Sequence, residues 1–291
     1  MLKFVALWLL VRVAGRLPRR TLYVAADACG VEAWAASRRL RAVSRDHARH
    51  VLGPSATKRE LSRASRGCVR TAARYYADFA RAAHAPAQET LDAIVAIDGV
   101  DHFFEAYDRG CGVIVCSAHL GNPEFLTRAV AALGFPMVVL TEPLSPPRVH
   151  DFVHEVRQAE HLRFVPADMA GIRVALAHVR KGGILALLVD RDVLGNGRPV
   201  PFFGEPAAQP TGAVELALRT GAPLVPAFVQ RTAGGRFRMT VEPAIELSGN
   251  PRDDVDIERG MLQLAAALER GIRLAPGQWF PLQPIWRAPA R

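Results

Sequence analysis

Hydrophobic and polar positions follow two patterns along the chain, and the change between them lies near residue 90. From residue 20 to residue 90, alanine and arginine dominate and apolar residues recur at helical spacing, as between Cys68 and Ala80. This region is predicted to be helical, and the Ala85–Pro86 stretch ends it. Short β-rich runs then alternate with helical stretches. The predicted strands are 113–117, 137–141, 184–189, 223–230 and 236–241, and the predicted helices between them are 123–133, 148–161, 171–180 and 212–220.

This alternation predicts an α/β fold in which a largely parallel central sheet is flanked by helices. A length of 291 residues allows one large domain or two small ones. The change of pattern favours a basic helical region of residues 1–90 followed by an α/β domain of residues 91–291. In open sheets of this kind, ligands bind beyond the carboxyl ends of the strands.

The net charge of +9 is concentrated in the helical region. Residues 1–90 hold 17 Lys and Arg against 6 Asp and Glu, whereas residues 91–291 hold 20 against 22. Nucleic acid and anionic lipid are both candidate partners for such a surface. Half of the residues are hydrophobic, which argues against intrinsic disorder. The four cysteines form no Cys-x-x-Cys pair and fit a reducing cytoplasm.

The first twenty residues favour lipid over nucleic acid. The run FVALWLLV at residues 4–11 is too short to span a bilayer, which needs about 20 apolar residues, and Arg12 interrupts it where a signal peptide would continue. A short apolar segment that carries Trp8 and is followed by arginines is typical of an interfacial membrane anchor. The alternative is a buried terminal helix with solvated arginines. Aromatic residues interleaved with the charge are too sparse to favour nucleic acid.

His119 is the first candidate for chemistry because it follows the predicted strand 113–117. Asn122, Pro123 and Glu124 are typical of the cap, first position and first turn of a helix, so a helix is predicted to begin there. An ionised Glu124 would hydrogen-bond the imidazole of His119 and leave the other ring nitrogen as a general base. The alternative is a histidine that merely lies in a loop, with Glu124 serving the helix dipole.

The second candidate is the triplet Asp190, Arg191 and Asp192, which directly follows a buried predicted strand. Three charged side chains at this place are costly to desolvate unless they form ion pairs or bind a ligand. Arg191 would bind an anionic headgroup or phosphate, while one Asp would orient a substrate hydroxyl or His119. A local ion pair at the strand end is the alternative.

His150 and His154 have metal-ligand spacing, but no third ligand is apparent, so no metal site is predicted.

Several stretches together resemble the bacterial lipid acyltransferases, which include the lauroyl/myristoyl transferases of lipid A biosynthesis and the phosphatidylinositol mannoside acyltransferases. The resemblance covers nearly the whole chain, and its basic helical N-terminus resembles the membrane-associating region of that family. The matching stretches are AHLGNPE at 118–124, LVDRD at 188–192, VPFFGEPA at 200–207, TGAVELALRTGAPLVPAFVQR at 211–231 and PGQWFPLQPIW at 276–286.

The resemblance implies roles for individual residues. In that family, the histidine of a His-x4-Asp/Glu motif deprotonates the acceptor hydroxyl and the acid assists it, which corresponds to His119 and Glu124 as the catalytic residues. Many members carry an aromatic residue where this chain has Pro123. The Phe-Phe-Gly block of the family corresponds to residues 202–204. The residues expected to bind substrate are Asn122, Arg157, Asp190, Arg191, Asp192 and Glu205.

The resemblance therefore implies an O-acyltransferase that moves a fatty acyl chain from acyl-CoA or acyl carrier protein to a hydroxyl of a glycolipid or lysolipid. The thioester is a co-substrate, and no cofactor or metal is expected. The expected partners are anionic membrane lipids and the lipid acceptor, not nucleic acid. The expected location is the cytoplasmic face of the bacterial inner membrane, where the protein would be peripheral or anchored by its N-terminal segment. The alternative is a non-catalytic membrane-bound lipid-binding or assembly protein that retains the fold.

Overall fold

A computed structural model describes residues 2–193 and 195–286 of the chain. In these two ranges, nine strands form two sheets. The strands are β1 (Ile94–Asp98), β2 (Val113–Ser117), β3 (Met137–Thr141), β4 (Leu162–Pro166), β5 (Ile184–Leu188), β6 (Arg198–Phe202), β7 (Glu205–Gln209), β8 (Leu224–Arg231) and β9 (Phe237–Val241).

The central sheet has seven strands in the order β1-β9-β8-β2-β5-β3-β4. Its five strands from β8 to β4 are parallel to their neighbours, and β1 is parallel to β9. The β8–β9 pairing is antiparallel. The strands β6 and β7 form a separate antiparallel hairpin.

Helices cover both faces of the central sheet, and in the described part of the chain five of them precede the first strand. They are α1 (Leu2–Arg12), α2 (Arg19–Ala36), α3 (Arg38–Leu52), α4 (Lys58–Ala82), α5 (Ala87–Asp92), α6 (Val100–Tyr107), α7 (Pro123–Ala132), α8 (Pro147–Arg157), α9 (Met169–Val179), α10 (Gly212–Thr220) and α11 (Asp254–Arg273).

The apolar composition of β2 explains its central place. All five of its residues are buried, and they alternate between the two sides of the sheet: Ile114 and Cys116 pack in one hydrophobic cluster, while Val113 and Val115 pack in the other. A strand that is covered on both faces must be apolar at every position, as the VIVCS sequence is. The core therefore has two layers, one on each side of the sheet.

The predicted α/β class and the five predicted strands are confirmed, with end points that differ by a residue or so. The predicted helix 148–161 is too long, because α8 ends at Arg157 and an edge strand, β4, begins at Leu162. The first strand, the hairpin and α11 are additional elements that the pattern did not predict. The division at residue 90 stays a prediction.

The N-terminal region is helical, as predicted, but its association with a membrane is a separate question. Among the described residues, no helix combines the length and the apolar character that a bilayer crossing requires.

Candidate functional site

The parallel pairing of β2 with β5 brings two loops side by side at the carboxyl ends of the strands. Ser117 stands opposite Leu188 in this pairing, and the N–H of Val189 donates to the carbonyl of Ser117. His119 and Asp190 each lie two residues beyond these partners. The register of the two strands therefore places them next to each other, although 71 positions separate them in sequence.

His119 and Asp190 are joined by two hydrogen bonds. The ring atom Nδ1 of His119 is 2.8 Å from Oδ1 of Asp190, and the backbone N–H of His119 donates to Oδ2 at 3.0 Å. The indole N–H of Trp279 donates to the same Oδ2 at 2.8 Å. Because Nδ1 faces a carboxylate, it carries the proton of the neutral ring, and Nε2 is left with its lone pair.

Asp190 is ionised although it is fully buried. Burial alone would raise the pKa of this carboxyl, but the His119 imidazole, the backbone N–H of His119 and the indole of Trp279 lower the pKa to about 2. A buried carboxylate of this kind orients an imidazole and stabilises its protonated form.

His119 lies at a cavity of about 560 Å³ whose lining is mostly apolar. The cavity lies between β2, β3, β5, α7 and α8, and α1 and α4 contribute to its wall. The apolar side chains that line it include Leu7, Phe79, Val115, Leu126, Val139, Val153, Phe164 and Ala186. A lone pair on Nε2 of a carboxylate-bound histidine at an apolar cavity is suited to remove a proton from a bound hydroxyl.

Glu124 does not make the predicted hydrogen bond to His119. It lies in the first turn of α7, and its Oε2 accepts hydrogen bonds from the Tyr75 hydroxyl at 2.9 Å and from Nε of Arg157 at 3.1 Å. Nη2 of Arg157 in turn donates to the Tyr75 hydroxyl at 3.2 Å. The correction has a physical reason: the strand register brings Asp190 to Nδ1, while the first turn of α7 brings Glu124 to α4 and α8.

Glu124, Tyr75 and Arg157 form a largely buried cluster on the cavity wall. Burial raises the pKa of the Tyr75 hydroxyl, and the negative charge of Glu124 raises it further, so Tyr75 stays protonated and donates. Burial works against the Arg157 cation, but Glu124 and Tyr75 outweigh it and raise the pKa of the guanidinium. A catalytic role for Glu124 and a substrate contact by Arg157 stay predictions, and both side chains line the cavity.

The other predicted substrate-binding residues are spread over several places. Arg191 lines the cavity and pairs with Glu142 at 3.0 Å. Asn122 caps α7 by accepting the N–H of Phe125, as predicted for a helix start, and also donates to Asp78. Neither of the two remaining predicted residues belongs to the cavity lining found in the described part of the chain. Asp192 accepts two backbone N–H groups of the following loop, and Glu205 lies 3.4 Å from His50.

A buried hydrogen-bond network that was not predicted from the sequence contacts the loop that carries His119. The guanidinium of Arg231, on β8, donates to the carbonyl of Gly121 at 3.1 Å and to the Tyr23 hydroxyl at 3.1 Å, and it pairs with Asp78 at 2.6 Å. Burial and the Asp78 charge raise the pKa of Tyr23 to about 12. In the sequence, this network is indicated by nothing more than an arginine at the end of an apolar run. Its side-chain partners, Tyr23 and Asp78, lie on α2 and α4.

Gly121 is required in this loop by both conformation and space. Its φ is +61°, and a Cβ atom would lie 2.0 Å from the carbonyl oxygen of Val229. The loop after β2 is therefore pressed directly against β8.

The bacterial lipid A biosynthesis acyltransferases match this chain from residue 2 to residue 288. The match includes His119, Asp190 and the residues of the cavity wall. The chain belongs to this family. The family resemblance that the motifs predicted is thereby confirmed.

Curated relatives of this family member are phosphatidylinositol mannoside acyltransferases. The protein of that name from Mycobacterium tuberculosis is 26% identical over 208 residues, which cover 70% of this chain and 63% of the relative. The one from Mycolicibacterium smegmatis is 27% identical over 208 residues, which cover 70% of this chain and 65% of the relative. The chain thus spans a little under two thirds of the length of these relatives.

Proposed function

We propose that this protein transfers a fatty acyl group from a thioester to a hydroxyl group of a lipid or glycolipid. The observation that carries the proposal is the hydrogen bond between the ionised Asp190 and His119, whose side chain lines a largely apolar cavity. Membership of an acyltransferase family supports the same reaction class.

His119 acts as the general base. Its Nε2 takes the proton of the acceptor hydroxyl while the hydroxyl oxygen attacks the thioester carbonyl carbon, and Asp190 stabilises the imidazolium that forms. The carbon–sulfur bond then breaks, and the departing thiolate takes the proton from the imidazolium. The products are the oxygen ester and a free thiol.

Negative charge develops on the carbonyl oxygen during the attack. Pro123, at the first position of α7, has no N–H, so the backbone N–H groups of Asn122 and Glu124 and the guanidinium of Arg191 are the candidates to stabilise this charge. The role of Glu124 in this scheme is to hold Arg157 at the cavity wall rather than to assist His119 directly.

The apolar cavity is the proposed site of the fatty acyl chain. Burial of the chain against Leu126, Val139 and Ala186 would be driven by the hydrophobic effect, at roughly 0.8 kcal/mol for each buried methylene group. Acyl-CoA and acyl carrier protein both present such a chain as a thioester and both remain candidate donors. The relatives named as phosphatidylinositol mannoside acyltransferases favour a glycolipid acceptor.

We further propose that the N-terminal helix holds the protein at the cytoplasmic face of the inner membrane. Val5, Trp8 and Leu9 are more than 40% exposed on α1, while Leu7 of the same helix lines the cavity. Arg16 and Arg20 are exposed shortly after it. This combination would insert apolar side chains at the lipid boundary and place guanidinium groups at the lipid phosphates.

Release of free thiol from palmitoyl-CoA tests the reaction. The purified protein is incubated with palmitoyl-CoA and a lipid extract that contains phosphatidylinositol mannosides, and the products are identified by lipid mass spectrometry. The wild type is expected to release thiol and to add one acyl chain to an acceptor, and His119→Ala is expected to do neither while keeping its fold. Turnover that survives in His119→Ala would refute the mechanism, and an absence of thiol release with both acyl-CoA and acyl carrier protein donors would favour a lipid-binding protein.

Sedimentation with anionic vesicles tests the membrane surface. Leu9→Ser removes an exposed apolar side chain from α1, and Leu133→Ser removes one of similar exposure directly after the end of α7. The first variant is expected to bind vesicles less tightly than the wild type, and the second to bind equally well. Equal binding by both variants would contradict the proposed anchor.

A further inference from the structure

Trp279 is an almost fully buried tryptophan whose polar atom points at the proposed catalytic pair. Its side chain is 1% exposed, and its indole N–H donates to Oδ2 of Asp190 at 2.8 Å. Oδ2 also accepts the backbone N–H of His119, whereas Oδ1 faces Nδ1 of the His119 ring. The indole thus supplies one of the three hydrogen bonds that fix the orientation of the Asp190 carboxylate.

The backbone around Trp279 runs beside the His119 loop and fixes the indole relative to it. Trp279 forms an antiparallel bridge with Leu120, and the N–H of Phe280 donates to the carbonyl of His119 at 2.8 Å. The N–H of Gly121 donates to the carbonyl of Gln278 at 3.1 Å. The segment is therefore joined to the loop on both sides of the tryptophan.

A cluster of rings holds the indole in one orientation. The rings of His47, Phe202, Phe203 and Trp286 lie 4.9 to 6.1 Å from it, measured between centroids. His47 is neutral, because burial lowers its pKa to about 4. The cluster therefore packs against Trp279 without bringing a cation close to Asp190.

We propose that Trp279 is a positioning residue of the acyl transfer: its indole N–H holds the Asp190 carboxylate with Oδ1 on Nδ1 of His119. Without this donor, Oδ2 keeps a single hydrogen bond and the carboxylate is free to rotate away from the ring. The fraction of His119 with its proton on Nδ1 then falls, and with it the fraction whose Nε2 can accept the substrate proton. The catalytic part of this inference rests on the proposed function, but the hydrogen-bond part does not.

Trp286 offers a matched control in the same ring cluster. It is 5% exposed, lies 6.1 Å from Trp279 between ring centroids, and donates its indole N–H to the backbone carbonyl of Phe202 at 3.0 Å. Trp279→Phe and Trp286→Phe therefore remove the same atoms from the same core, and only the first removes a hydrogen bond from Asp190.

Two measurements on these variants test the proposal. In the thiol-release assay, Trp279→Phe is expected to lower kcat by about ten-fold or more with little change in KM, as the loss of one hydrogen bond to a charged acceptor predicts, while Trp286→Phe keeps kcat within about three-fold. In NMR, the chemical shifts of the His119 ring nitrogens report its tautomer, and comparison with His119→Gln assigns them. We expect the Nδ1–H tautomer in the wild type and in Trp286→Phe, and a mixture of tautomers in Trp279→Phe.

Equal kcat values and equal His119 tautomers in the two variants would overturn the proposal. If Trp279→Phe does not fold, replacement of Trp279 by 3-benzothienylalanine, which has the shape of tryptophan without the N–H, gives the same comparison. If the wild type shows no acyl transfer, the proposed function fails, yet the nitrogen shifts still decide whether Trp279 sets the tautomer of His119.

Discussion

Asp190→Asn is the substitution that most directly tests the proposed pair, because it replaces a carboxylate with a group of the same shape. Oδ2 of Asp190 accepts two N–H groups, those of His119 and Trp279, and Oδ1 faces Nδ1 of His119. An amide with its oxygen at the Oδ2 position keeps both of these hydrogen bonds. The reverse orientation would leave two buried N–H groups unsatisfied, at roughly 1 to 3 kcal/mol each, so the first orientation is expected.

This orientation turns the amide NH2 group toward Nδ1 of His119. The ring must then accept a hydrogen bond at Nδ1 and carry its proton on Nε2, which is the wrong tautomer for a general base. In the Ser-His-Asp triad of the serine proteases, the same Asp-to-Asn change lowers the rate by about 10⁴-fold. We expect a loss of that order for Asp190→Asn, equivalent to an increase of about 5 kcal/mol in the activation free energy.

The assay is thiol release from palmitoyl-CoA, with the fold checked by circular dichroism and the tautomer by the ring nitrogen shifts of His119. Glu124→Gln serves as the control for the tautomer measurement, because it neutralises a nearby carboxylate that binds Tyr75 and Arg157 and does not contact the ring. If Asp190→Asn keeps more than about a tenth of the wild-type rate while His119→Ala is inactive, Asp190 does not set the tautomer and the reasoning is wrong.

Three further predictions concern stability. Glu124→Gln leaves the largely buried Arg157 side chain without a counter-charge and is expected to lower the free energy of unfolding by roughly 3 kcal/mol in urea titrations, with the His119 tautomer unchanged. Wild-type stability of this variant would contradict the ion pair. The pKa of Asp190 is about 2 in the folded chain, below its ordinary value, so its ionisation stabilises the fold at neutral pH by roughly 2 kcal/mol, and this contribution is lost as the pH falls toward 2. The free energy of unfolding in urea, measured between about pH 5 and pH 2, should therefore depend less on pH in Asp190→Asn than in the wild type. The same pH dependence in both proteins would argue against a lowered pKa of Asp190. Gly121→Ala is expected to lower the free energy of unfolding by about 3 kcal/mol or more. Gly110 has a φ of +71° and open space around it, so Gly110→Ala should lower the free energy of unfolding by only about 1 kcal/mol. Equal melting temperatures for the two variants would exclude the steric contact at Gly121.

The local elements of the fold were predictable from the sequence because short-range effects decide them. The short apolar run of β2, rich in Val and Ile, is typical of a strand that is buried on both faces, and Asn122 before Pro123 is typical of a helix start. His119 and Asp190 could be singled out because each directly follows a buried apolar run. The edge strand β4 was not predicted, since Arg163 interrupts its apolar run and the predicted helix 148–161 ends directly before it. The hairpin was not predicted, since the prolines at 199, 201 and 206 argue against a strand.

The contacts within the site were decided by the tertiary structure alone. The spacing of five residues favoured Glu124 as the partner of His119, but the β2–β5 register brings Asp190 to Nδ1 from 71 positions away, and the first turn of α7 takes Glu124 to Tyr75 and Arg157. Trp279 reaches the same carboxylate from 89 positions away. Helix caps and strand propensity depend on neighbours in sequence, whereas hydrogen bonds between loops depend on strand order and register, which form only when the whole core packs.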